Sequence, residues 1–208
     1  MNTLTGAPPA PGRLRAAWRA AHAPVAGVPR WARIAAYAIP FAVLPSGLWR
    51  IAAVVLHTPL TDGPQGTGDL PSWLPIEVYV VLLSVGSELL AFTAIGLVAA
   101  WGEVVPRWVP VLRGRRVPVA AAVVPALLGA AALTTLWTSM AVLSAVGRTL
   151  QGDPLPAGMP LAAFDWQAAV FAATYAPLLL WGPLLGAVAL AYWRRRTGGG
   201  PAPAVAAA

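Results

Sequence analysis

Four apolar runs, at about residues 34–57, 76–101, 117–146 and 166–192, dominate the 208-residue chain. Each is long enough to cross a hydrocarbon core, which takes about 20 residues of helix. Within lipid a backbone has no water to bond to, so a run of this kind satisfies its amides internally as a helix. The expected fold class is therefore all-α: a polytopic membrane protein built as a four-transmembrane-helix bundle. Its helices are expected to be kinked, the first near Pro45, because prolines fall inside the first run and inside the third and fourth at Pro125, Pro177 and Pro183.

Composition supports the same class. Charged residues make up 10% of the chain and hydrophobic ones 58%, whereas a soluble domain carries about 25% charged residues. No water-facing fold hides that much apolar surface. The runs and their connections occupy residues 31–193, preceded by a basic Pro/Ala-rich arm at 1–30 and followed by a basic stop and Gly/Pro/Ala tail at 194–208. In the arm, Leu14, Ala17, Trp18 and Ala21 recur at helical spacing opposite Arg13, Arg15 and Arg19. That pattern fits either a short interfacial helix or a solvated basic tail.

All 14 basic residues other than histidine are arginines, and their placement sets an orientation. Five lie in the arm through Arg33, four between residues 101 and 118, and three at Arg194, Arg195 and Arg196; the opposite side has Arg148 alone. Short loops rich in arginine stay cytoplasmic. Both termini and the 101–118 loop are thus expected inside a cell membrane, with the 58–75 and 147–165 loops outside. The net charge of +7 follows apolar spans instead of one soluble face, which points to anionic lipid headgroups and away from nucleic acid. With no cysteine there is no disulfide, thiolate nucleophile or thiolate metal site.

Ionisable groups inside the spans are the first candidates for function, since an unpaired charge there costs upwards of about 2.5 kcal/mol. Arg50 and Glu88 are the two. Ser46, Arg50 and His57 follow one face of the first helix, Glu77, Ser84 and Glu88 one face of the second, and Thr138 and Thr174 lie at comparable depth on the third and fourth. Three readings are open: interhelical glue with an Arg50–Glu88 ion pair, an outward-opening polar pocket for a small enzyme or transporter, or outward snorkelling of Arg50. His22 and His57 fall on opposite sides and share no site. No catalytic, cofactor or metal motif is present.

The 101–118 loop is the other distinctive stretch. It packs Glu103, Arg107, Trp108, Arg113, Arg115 and Arg116 among prolines, as a stiff basic hairpin that forms a candidate cytoplasmic docking surface. Glu103 and Arg107 stand one helical step apart and are expected to pair. The pattern Trp101-Gly102…Pro106-Arg107-Trp108-Val109-Pro110…Gly114-Arg115…Val117-Pro118, with alanine-rich flanks and arginine-only basic usage, resembles uncharacterised four-span membrane proteins common in actinobacteria. The likeness covers about residues 31–193 and implies a fold and a membrane location. No activity is assigned to those proteins, so no catalytic residue transfers. The expected function is non-enzymatic, through association with lipid, with a second copy of the chain or with another membrane protein.

Overall fold

The computed structural model describes residues 12, 25, 27–61, 70–104, 116–156, 159–162 and 165–198. Among them the chain is all-helical, with α1 Arg30–Arg50, α2 Ile76–Thr93, α3 Val119–Ala145, α4 Trp166–Tyr175 and α5 Trp181–Thr197. Joined to their adjoining turns, these form four helices long and apolar enough to cross a membrane: Arg30–Val55, Ile76–Leu97, Val119–Ala145 and Trp166–Thr197. The shortest, 22 residues, reaches about 33 Å at 1.5 Å per residue.

Proline sets where three of the four begin. Pro29, Pro75 and Pro118 precede α1, α2 and α3 with extended ψ values of 148°, 140° and 139°, turning the chain abruptly into the helix. The fourth starts differently, with Asp165 Oδ1 accepting the Ala168 amide at 2.9 Å, a side-chain cap for an otherwise orphan donor.

α1 runs as α-helix through Pro40 and Pro45, and the departure from α geometry comes later, as a π turn at Ile51–Val55. Thr58 closes that turn by donating both its amide and its hydroxyl to Ala52 O. In the fourth span Pro177 opens a 3₁₀ turn, Ala176–Leu180, which joins α4 to α5 without ending the run.

α1 and α5 are the central helices. α2 packs on α1 and α3 on α5, while α2 and α3 share no extensive contact. The core is stacked in three layers along the helices: one around Ala36, Val98, Val188 and Tyr192, one around Ile39, Ala94, Leu178 and Trp181, and one around Trp49, Val80 and Phe171. Large apolar side chains also cover the outside, as with Phe41 at 72%, Leu82 at 62% and Leu128 at 66% exposure. The buried polar groups Ser46, Ser84 and Gln167 lie inside. Apolar outside with polar inside inverts the arrangement of a water-facing helix.

The tightest helix contact is α3 on α5. A Cβ built on Gly182 would overlap the Thr134 hydroxyl and lie 2.6 Å from Thr134 N and 2.7 Å from Ala130 O, and one turn on, Gly186 faces the Ala130 methyl at 3.5 Å. Gly182 and Gly186 form a small-xxx-small pair that lets backbones approach where side chains would hold them apart. We predict that Gly182→Ala destabilises the detergent-solubilised protein by about 1–3 kcal/mol, since the obstruction includes backbone. Gly86→Ala, at a helical glycine with nothing within 4 Å, should leave thermal unfolding within about 1 kcal/mol of wild type. Equal effects at the two glycines would contradict this packing.

Candidate functional site

The polar residues singled out from the sequence gather at the two ends of the bundle. At the end where α1 passes into its π turn, Arg50 is the last α-helical residue. Gly47, one turn earlier, brings the Ser84 Cβ to 3.6 Å of its own Cβ direction, so α1 and α2 run close here. Across this gap Arg50 Nε donates to Ser84 Oγ at 3.2 Å. Tyr175 belongs to an aromatic cluster, stacked on Phe171 at 4.2 Å and set edge-on to Trp49 at 5.5 Å and Trp137 at 6.3 Å. Beside it Trp137, Met140, Phe171 and Tyr175 line a mostly apolar cavity of about 390 Å³.

The other expected members of this set stay apart. Among the described residues the ion pairs within 4 Å are Arg195–Glu103 and Arg196–Glu103, so Arg50 and Glu88 do not pair. Ser84 stands one helical turn nearer to Arg50 and takes its Nε–H, leaving Glu88 half-buried. Thr138 is exposed, because α3 packs on α5 with no extensive contact to α2. Ser46 is fully buried but donates to Val43 O at 2.8 Å, and Thr174 donates to Val170 O and Phe171 O at 2.9 Å. These hydroxyls bond within their own helices instead of across them, as do Ser87, Thr93, Thr134 and Thr197. The carbonyl three or four residues back is always within reach, whereas a partner on a neighbouring helix is not.

The opposite end is organised around Glu103. After α2, the 3₁₀ turns Ala94–Leu97 and Ala100–Gly102 fold the chain back sharply, so the helix ends at Leu97 and not at 101. Two glycines permit this: a Cβ on Gly96 would come within 2.6 Å of the Trp101 ring, and one on Gly102 would overlap Gly96 O. Val104 then bridges antiparallel to Arg116, and Val117 N donates to Glu103 O at 2.9 Å. The base of the hairpin is thereby closed. Arg107, Trp108, Arg113 and Arg115 lie outside the described residues.

From this stem Glu103 meets the end of α5, with Arg195 Nη1 at 2.6 Å and Arg196 Nη1 at 3.5 Å. These partners are distant in sequence; the local pairing expected with Arg107 falls on a residue outside the described ones. Arg195 Nη2 donates to Leu97 O at 3.4 Å and Arg196 Nη2 to Val117 O at 3.0 Å, so the two arginines tie the end of α5 to the turn after α2 and to the residue that leads into α3. Their guanidiniums lie 5.4 and 5.7 Å from the centroid of the Tyr192 ring, which is 2% exposed, adding cation–π attraction. These charged side chains are only 14–21% exposed, which strengthens their attraction over that of a surface pair.

By sequence, Arg194–Arg196 reads first as a stop-transfer anchor and second as a specific lipid site, and neither reading includes the contact with Glu103. The readable hint was that Glu103 is the one acid on the arginine-rich side; which of twelve arginines it meets is a tertiary matter. Among the described residues, no three His, Asp or Glu side chains are grouped to hold a metal. Comparison with known protein families, characterised proteins and solved structures gives no match.

We predict that the double substitution of Arg50→Met and Glu88→Gln is additive in thermal stability to within about 0.5 kcal/mol. Arg50→Met and Ser84→Ala should instead couple by about 0.6 kcal/mol, the average for side-chain hydrogen bonds between membrane helices. The reverse pattern would restore the ion pair as the organising contact.

Proposed function

We propose that this chain is an integral protein of the cell membrane, crossing the bilayer four times with both termini and the 101–118 loop on the cytoplasmic side. In this reading it acts without catalysis, by presenting that loop to a partner, either a second copy of the chain or another membrane protein. The apolar exterior supports placement in lipid, and the distribution of arginine supports the orientation.

One observation carries the docking role: the hairpin stem is bound to the end of α5 through Glu103, Arg195 and Arg196. A loop held at both strands has lost part of the entropy that a partner would otherwise have to remove. Arg107, Trp108 and Arg113 supply residue types favoured at binding hot spots. The Arg50 end supports chemistry less, since Arg50 and Glu88 do not meet, Ser84 is taken by Arg50, and Ser46 and Thr174 bond within their own helices.

Two measurements test this. Reporter fusions at residue 65 and at the C-terminus should report opposite sides, with residue 65 outside; a cytoplasmic signal at 65 overturns the orientation. A photo-crosslinking residue at position 108 in cells should give a discrete protein adduct that falls at least about tenfold when Arg107, Arg113 and Arg115 become alanine, as loss of a hot-spot cluster implies. An unchanged adduct, or none in wild type, would remove the docking role.

A further inference from the structure

The arginine-rich end carries more positive charge than the chain itself can neutralise. By sequence, the segments flanking this end carry twelve arginines and a single acid, Glu103, whose carboxylate is already taken by Arg195 and Arg196. Neither the first 33 residues nor the last 15 contain any Asp or Glu. Arg194 is exposed and forms no ion pair among the described residues, and the flanking segments hold no acidic side chain to supply one.

A groove of about 670 Å³ lies beside Arg194, between the entry to α1 and the end of α5. Its volume is in the range of ligand sites. Gly27, in the left-handed region at φ 78°, turns the chain across α5 so that the Arg195 Cδ lies 3.7 Å from its Cβ direction. That turn forms one wall. Trp31, 52% exposed, stands on the α1 side, and Ala187, Leu190 and Ala191 make an apolar floor running from Arg194 back along α5. A cation at one end of the groove, an apolar floor leading away from it and an aromatic ring at the rim match a molecule with an anionic head and a hydrocarbon chain.

We propose that this groove binds an anionic glycerophospholipid of the cytoplasmic leaflet. The phosphate accepts hydrogen bonds from Arg194, and an acyl chain lies along Ala187, Leu190 and Ala191. Arg195 faces the same groove but stays committed to Glu103, which leaves Arg194 as the residue that selects charge. The proposal rests on the membrane orientation given above, and it is independent of whether the 101–118 loop docks a protein.

The test uses the full chain in detergent, doped with phosphatidylglycerol or phosphatidylcholine of identical acyl chains, with bound lipid counted by native mass spectrometry. Wild type should retain phosphatidylglycerol about fivefold over phosphatidylcholine, the attraction expected of one arginine near an anionic lipid. Arg194→Gln should erase that preference with unchanged thermal unfolding, because its side chain is exposed. Ala191→Trp, which fills the groove, should reduce retention of both lipids, while Arg148→Gln at the other end should change nothing. Equal retention of the two lipids by wild type, or a preference that survives Arg194→Gln, overturns the site. Displacement by soluble glycerol phosphate at the same concentration also overturns it, since the apolar floor would then contribute nothing. A cytoplasmic signal from the residue-65 fusion removes the leaflet assignment and with it the proposal, whereas an external signal there with no lipid preference removes the groove alone.

Discussion

The interaction on which the arrangement depends is the triangle of Glu103 with Arg195 and Arg196. One carboxylate draws together three segments that are remote in sequence: the turn after α2, the start of α3 and the last turn of α5. Without it, a cluster of like charges would repel at the point where the helices must converge. A part-buried acid among arginines costs desolvation, and this is offset only because each guanidinium also reaches a carbonyl, Leu97 O or Val117 O. The Tyr192 ring beneath the pair links the charged layer to the apolar core below.

Below that layer the bundle is held by shape. The α3 and α5 backbones meet at Gly182 and Ala130, where no side chain intervenes, and α1 approaches α2 at Gly47 and Ser84. In the lipid setting proposed above, burying Leu or Val against another helix would gain little over burying it against lipid, so close backbone approach would carry more of the association. This accounts for the plain chemistry of the interior. Arg50 takes the Ser84 hydroxyl across the gap, while most other hydroxyls serve their own helices.

Much of this was legible in the chain. The four helices fall close to the four apolar runs because length and hydropathy are local properties, and Pro29, Pro75 and Pro118 mark three of the starts. A hairpin after the second run was legible too, from its prolines. What escaped was pairing between elements. Ser84 and Glu88 occupy one face of α2, and nothing local says which of them Arg50 will reach; helix offset decides it. Thr138 has suitable depth, yet α3 turns it outward because α3 packs on α5 and not beside α2. The turn made by Gly96 and Gly102 aims Glu103 at α5, a long-range contact that no local spacing shows. The Gly182-x-x-x-Gly186 pair is itself a close-packing signal in the sequence, set among the prolines of the fourth run.

The most direct test of the Glu103 triangle compares Glu103→Gln, the double variant Arg195→Gln with Arg196→Gln, and all three together, by thermal unfolding of the solubilised protein. Removing both arginines strands a part-buried carboxylate, so the double variant should lose more stability than Glu103→Gln. Adding Glu103→Gln to it should recover part of that loss, giving a coupling of at least about 1 kcal/mol. Losses that simply add, within about 0.3 kcal/mol, would mean that the hairpin stem and the last helix are held together by something else.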